Sequence, residues 1–284
     1  MKINWFPGHM KKNLDTMKEN IKKIDVVLYV LDARAPFSCL NPKIDEIVEH
    51  RTILYVINKI DLIEKSDADK IVSCFKKQNK NVIALQATTS SNRNILLSKL
   101  KELVSEKYEN RKSKGIEPVF KVMVIGTPNT GKSTIINTLY GQKKAITGDR
   151  AGVTKANQWV KISDNFVLLD TPGTLWPKLE NEKIATNLAF IGSIKTEVID
   201  QEELGYELAK YLIDNHKNKL SARYGISNFE QEYIAIYDEI LKKMGCLIRG
   251  GEVDYNRGAT KLLDDFRSGR IGKICLDNID IFCK

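Results

Sequence analysis

No stretch of the chain approaches the roughly 20 consecutive apolar residues that a membrane-spanning helix needs, although 42% of its residues are hydrophobic. The basic start is not followed by an unbroken apolar run, so no secretory leader is expected. No CxxC pair occurs among the five cysteines, Cys39, Cys74, Cys246, Cys275 and Cys283, whose number is odd and whose spacing is irregular. That pattern speaks against a disulfide framework and a zinc site, and for a reducing cytoplasm. Histidine is scarce, at His9, His50 and His216. Acidic excess is missing from the first part of the chain: residues 1–175 carry a net +11 and residues 176–284 a net −2. A polyanion is one natural partner for such a surface, and solubility alone is the other reading. At 284 residues the chain is long enough for two domains.

What is present begins mid-chain. The stretch "VFKVMVIGTPNTGKSTIINTLYG" (119–141) runs an apolar strand into Gly126-x-x-x-x-Gly131-Lys132-Ser133 and then a helical pattern. This is a phosphate-binding loop in its required context of strand, loop and helix N-terminus. Its backbone amides, including those of Asn129, Thr130, Gly131 and Thr134, can surround phosphates. Lys132 can reach the β- and γ-phosphates, and the Ser133 hydroxyl can ligate Mg²⁺.

A base-reading motif lies upstream. "ILYVINKIDLI" (53–63) is a buried-type strand ending in Asn58-Lys59-Ile60-Asp61, an NKxD sequence. Asp61 can accept from guanine N1–H and its exocyclic amine, a pattern adenine does not offer, while Asn58 and Lys59 brace the loop. A second strand, "NVIALQATTS" (81–90), ends in Gln86-Ala87-Thr88, which fills the slot of a degenerate SAK guanine loop. Downstream, "AGVTK" places Thr154 to complete a Mg²⁺ shell. "NFVLLDTPG" (165–173) then ends a strand in Asp170-x-x-Gly173, the metal-side and γ-phosphate-sensing motif.

The order along the chain is NKxD, SAK-like loop, P-loop, threonine, DxxG. An ordinary GTPase runs P-loop, threonine, DxxG, NKxD, SAK. These are one cyclic order cut at different points, so the sequence predicts a circularly permuted GTPase domain. The charged stretch 105–118 reads as the connector that joins the original ends.

With "WFPGHM", "DARAP" (32–36), "GDRAGVTK", "DTPGTLWPK", "GCLIRGG" and "DFRSGRIGKI", this arrangement resembles the YlqF/RbgA family of bacterial ribosome biogenesis GTPases over nearly the whole chain. Two positions depart from it: Thr130 replaces the usual valine, and Thr174 a usual hydrophobic residue. Ras-like enzymes orient the attacking water with a glutamine just after DxxG. Threonine is too short for that, so another group must act. Met10, Leu14, Met17, Ile21 and Ile24 predict an amphipathic arm helix behind His9. On spacing alone His9 reads first as the start of a packed helix and only second as a group presented to the phosphates; the resemblance reverses that order and implies that it is the catalytic histidine. Asn129 reads as a turn residue or, as in related GTPases lacking the glutamine, as a holder of K⁺. His50 and His216 read as helix-end residues.

After Trp176 the pattern becomes helical. Capping boxes are expected at Asp200/Glu203 and Ser227/Glu230, with further helices near 180–194 and 256–268. Phe229, Tyr233, Tyr237 and Phe266 read as core, and Arg249, Arg257, Lys261, Arg267, Arg270 and Lys273 as an RNA-facing patch. The expected architecture is α/β: a permuted P-loop GTPase domain over 1–177, with a mostly parallel sheet, helices on both faces and an arm at 1–24. An all-α domain follows over 178–284, coupled to Gly173.

The resemblance implies a Mg²⁺-dependent monomeric GTPase in late maturation of the large (50S) ribosomal subunit, with GTP/GDP, rRNA and ribosomal proteins as partners and no membrane. Two alternatives stay open from the residues: a GTP-dependent RNA-binding scaffold with negligible hydrolysis, and a P-loop ATPase or kinase in which NKID is a coincidence.

Overall fold

The computed structural model describes residues 8–89, 91–141, 159–170, 181–194 and 199–283; for residues 8–13 and Asp170 it describes the backbone alone. Thr154, Gly173, Thr174 and Trp176 lie outside the described residues.

The strands are β1 (Val26–Asp32), β2 (Thr52–Asn58), β3 (Asn81–Leu85), β4 (Phe120–Ile125), β5 (Trp159–Ser163) and β6 (Phe166–Asp170). They form one sheet in the order β3-β2-β1-β4-β6-β5. All pairings are parallel except β5 with β6. Parallel strands covered on both faces read as continuous apolar runs, and all seven residues of β1 are buried. Accompanying helices include α1 (Gly8–Ile21), α2 (Pro42–Val48), α3 (Lys65–Lys77), α4 (Asn92–Lys112) and α5 (Lys132–Tyr140).

Sheet order explains where a ligand can bind. From β1 the chain steps outward to β2 and β3; it then returns through α4 to pair β4 against the other side of β1. From β4 it continues to β5 and β6 on the opposite flank. The loops after β1 and β4 therefore diverge, and a crevice opens beyond their carboxyl ends. Strands beside the P-loop strand keep the ordinary GTPase arrangement, while the cut falls elsewhere. The fold is a permuted P-loop GTPase domain.

The helical part comprises α6 (Glu182–Phe190), α7 (Gln201–Asn215), α8 (Lys217–Tyr224), α9 (Tyr233–Lys243) and α10 (Tyr255–Arg267). Asp200 caps α7 by accepting from the Glu202 and Glu203 amides. Gly205 lets α7 and α10 close on each other, since a Cβ there would strike Ala259. The chain divides into two compact units, one being Leu179–Ile274 and the other holding the sheet.

Several expectations need correction. The connector at 105–118 is helical in its first part, because α4 runs to Lys112. Leu96, Leu100, Val104 and Tyr108, four residues apart, give it a core-facing stripe that continues into its C-terminal half. Arg111 stacks on Phe120 and pairs with Asp25 at 3.5 Å. The helix expected from Ser227 starts at Tyr233, because the Asn228 side chain accepts from the Glu230 amide and makes a local turn instead. Helix α1 ends at Ile21, so Ile24 is buried just beyond it.

The last ten residues, Cys275–Lys284, belong with the sheet unit and not with the helical one. They include a short helix, α11 (Ile279–Phe282), that packs on α3. A disulfide joins Cys74 of α3 to Cys283, with Cα atoms 5.1 Å apart. The two cysteines are 209 residues apart in sequence, which no local spacing pattern reveals. Cys39, Cys246 and Cys275 form no disulfide.

Candidate functional site

The P-loop leaves β4 and turns into α5 on backbone that few residues accept. Gly126, Asn129 and Gly131 all have positive φ (147°, 60° and 95°). A Cβ on Gly126 would meet the Val30 carbonyl, and one on Gly131 would meet Asn58 Nδ2. Glycine is required at both positions by close approach as well as by conformation. Gly131 flanks the N-terminus of α5, where unbonded amides and the helix dipole favour an anion.

Lys132 is buried and donates from Nζ to the Thr127 carbonyl at 2.8 Å, so its ammonium lies within the curve of the loop. Thr130, wholly buried, donates to the same carbonyl at 3.0 Å. A hydroxyl thus occupies the place of an apolar residue by bonding inside the loop. Ser133 is exposed, Thr134 half-exposed and Asn129 exposed.

Asn58 ties three loops together. Its Nδ2 donates to the Thr130 carbonyl at 2.9 Å, and its Oδ1 accepts from the Ala87 amide at 3.0 Å. Both ends of the side chain are committed, and the residue is buried. Lys59, in the left-handed region at φ 63°, donates to the Asn129 carbonyl at 2.6 Å and to Asp32 Oδ2 at 2.8 Å. The NKID motif and the P-loop are therefore physically joined. Asp61, in a 3₁₀ turn over Ile60–Leu62, is exposed and points its chemistry at solvent. Ala87 is a brace: its amide goes to Asn58 and its carbonyl to Thr138 Oγ1 at 2.7 Å. Thr88 beside it is exposed.

Two residues quoted only inside "DARAP" turn out to belong to the site. Asp32, at the carboxyl end of β1, accepts from Lys59 and, at 2.9 and 2.7 Å, from the Arg34 guanidinium. Burial would raise the pKa of this carboxyl, but Lys59 and Arg34 outweigh it and hold it well below the usual carboxylate range. The sequence signal was available: opposite charges directly after a buried strand need partners.

The remaining assignments separate. His9 is the second residue of α1 by backbone, and its side chain lies outside the described residues, as does that of Asp170. His50 is exposed and two residues past α2. His216 joins α7 to α8, its ring 5.5 Å from that of Tyr211. Among the basic residues of the helical unit, Arg267 donates to the Phe190 and Ala189 carbonyls at 2.9 Å, closing the C-terminus of α6. Arg270 pairs with Asp265 at 2.6 Å. Arg257 and Lys261 donate to the Gly245 and Met244 carbonyls. All four have structural partners, and Arg257, Lys261 and Arg270 are exposed as well. Tyr237 and Phe266 are core, but Tyr233 is 40% exposed and bonds Asp214 at 2.7 Å.

The donor set assigned to Mg²⁺, the Ser133 and Thr154 hydroxyls with the Asp170 carboxylate, is all oxygen and suits a hard cation. Ser133 meets it with an exposed side chain in the first turn of α5.

The family described as 50S ribosome-binding GTPase matches residues 121–232. The chain is 37% identical to ribosome biogenesis GTPase A of Bacillus licheniformis, over 98% of both proteins. It is 31% identical to mitochondrial ribosome-associated GTPase 1 of Mus musculus, covering 96% of this chain and 89% of that one. The GNP-bound crystal structure of YlqF from T. maritima aligns over 95% of this chain and 99% of its own, with TM-score 0.68 and 27% identity.

Proposed function

The chain belongs to the ribosome biogenesis GTPase A family, and we propose that this GTPase acts as an assembly factor in late maturation of the large (50S) ribosomal subunit. The observation that carries the nucleotide side of this reading is the bonding of Asn58 and Lys59 to the P-loop. It supports this reading over a coincidental NKID, because a chance match would have no reason to brace the phosphate loop.

In this reading Asp61 reads guanine, Asn58, Lys59 and Ala87 hold the base loop in place, and Thr88 borders it. Amides of Asn129–Thr134 receive the phosphates, and Lys132 leaves Thr127 to meet them. Ser133, Thr154 and Asp170 would hold Mg²⁺, which supplies charge neutralisation across the β- and γ-phosphates. His9 orients the attacking water, with Asn129 holding K⁺ as the alternative source of positive charge. Gly173 senses the γ-phosphate, and its neighbourhood passes the change to the helical unit. The protein works as a monomer in the cytoplasm, on rRNA and ribosomal proteins of the large subunit. No helix among the described residues is long and apolar enough to cross a membrane.

A second reading, a GTP-dependent RNA-binding scaffold with negligible hydrolysis, is favoured by one observation, Thr174 in place of a water-orienting side chain. Single-turnover hydrolysis of GTP with and without purified subunits separates the two. The assembly-factor reading expects large subunits, and not small ones, to accelerate hydrolysis. Binding to large subunits without acceleration favours the scaffold.

A further inference from the structure

We propose that Asp277 is a positioning residue for guanine-nucleotide binding, acting through the C-terminal strap on the Asp32–Lys59 pair. The proposal rests on the assignment of the 58–61 loop to guanine.

The strap is the segment that follows Ile274 and re-enters the sheet unit. Its first contacts are with the loop after β1. Leu276 donates its amide to the Arg34 carbonyl at 2.7 Å. The Asp277 carboxylate, buried, accepts from the amides of Phe37 (2.7 Å) and Ser38 (3.0 Å) and from the Ser38 hydroxyl (2.5 Å). The far end is fastened as well. Phe282 stacks on Phe37 with ring centroids 4.4 Å apart, and Gln78, just past the end of α3, donates to the Phe282 carbonyl at 3.2 Å.

Residues 33–40 form no helix or strand, so their backbone groups must find partners elsewhere. The strap supplies several of them. A buried carboxylate accepting three bonds from two adjacent residues fixes that loop far more tightly than a surface contact would.

Arg34 is where the loop meets the site. Its carbonyl is bonded to the strap, while its amide and guanidinium are bonded to Asp32. Asp32 in turn holds Lys59, and Lys59 holds the Asn129 carbonyl of the P-loop. A continuous set of bonds therefore runs from residue 277 to the P-loop. None of the strap residues bears a recognisable nucleotide motif, which is why the sequence alone gives Asp277 no role. Displacing the 33–38 loop would turn Arg34 away from Asp32 and leave Lys59 to balance the buried carboxylate by itself. The ammonium would then be drawn off Asn129, and the base and phosphate loops would lose their common brace.

The test uses the full chain and fluorescent GDP. Asp277→Asn keeps the shape but puts an NH₂ group among donors. It should raise the Kd for GDP about tenfold, and the KM for GTP with it, while kcat holds, since the brace serves ground and transition states alike. In a Lys59→Met background Asp277→Asn should add less than twofold, because the two residues act on one path. Ser38→Ala, which removes only the hydroxyl bond, should give a smaller loss in the same direction and covers the case in which Asp277→Asn fails to fold. Unchanged GDP affinity in both variants, or equal losses with and without Lys59, overturns the positioning role. Asp61→Asn, assayed with guanosine and xanthosine diphosphates, reads the underlying assignment separately. Unchanged guanine preference there removes the ligand assignment itself, whereas a shift to xanthosine with additive Asp277 effects removes only Asp277.

Discussion

Asn58 donates its side-chain amide to the carbonyl of Thr130 at 2.9 Å, across 72 residues of chain. The bond binds the base-reading loop to the phosphate loop, and the other end of the same side chain holds Ala87. Asn58→Ala leaves both partners buried without it. A lost buried partner costs about 1–3 kcal/mol. Guanine-nucleotide affinity should therefore fall on the order of 10- to 100-fold. Titration with a fluorescent GDP analogue checks this, and wild-type affinity in the variant would show that the loops are held by other bonds.

His9→Ala should leave nucleotide affinity nearly intact, since ground-state contacts come from the P-loop and the NKxD loop. Hydrolysis stimulated by the large subunit should fall by roughly 10²–10⁴, the range for one proton-transfer or water-orienting group. Lys132→Ala, by contrast, should weaken binding itself. Normal stimulated turnover in His9→Ala would reduce the arm to a packing element.

Arg267→Ala removes two charge-assisted bonds from the C-terminus of α6. A loss of about 1.5–3 kcal/mol in unfolding free energy is expected. Arg249→Ala, at an exposed residue, should stay within roughly 0.5 kcal/mol of the parent. Urea denaturation of both variants decides whether the basic residues of this unit are structural or presented.

Asp45 of α2 is half-buried, and burial pushes its carboxyl up to about 6 against the opposing pull of Lys80 and a hydrogen bond with Tyr29. In the unfolded chain it titrates near 3.9, roughly the free value. The folded state thus binds the proton more tightly, and stability falls as pH rises from about 4 through about 6. Asp45→Asn should flatten that part of the profile. Parallel profiles for the two proteins would place the pH dependence elsewhere.

Cys283→Ser should cost stability only where the Cys74–Cys283 bond is oxidised. A disulfide closing a long loop contributes about 2–4 kcal/mol. Without reductant the variant should unfold at correspondingly lower urea; with a dithiol present the difference should vanish. Equal stability without reductant, with both thiols alkylatable, would show that the two cysteines stay reduced.

Local pattern settled the elements whose cause is local. The P-loop announces itself because its glycines, lysine and serine must stand at fixed spacing between a strand and a helix. NKID does so because a base needs a carboxylate just past a strand. β2 and β4 read as apolar strands because the sheet buries most of each, and Asp200 marks α7 because a helix start needs an acceptor. Even the permutation was legible, since motif order survives a change of cut point.

Tertiary structure decided what depends on partners distant in sequence. Asp32 and Arg34 became site residues only once β2 brought Lys59 beside β1. Residues 105–112 became helix because the core gave Tyr108 and Arg111 something to cover, although their charge reads as linker. Arg267 became a helix cap, against its look of a presented cation, because α6 ends beside it. Asp277 and Cys283 left the helical unit for the sheet unit because their partners, Ser38 and Cys74, lie about 240 and 209 residues away. Hydrogen bonds and disulfides have a reach of a few ångströms and no preference for sequence distance. A pattern read along the chain reports periodicity and spacing, and such pairs leave neither.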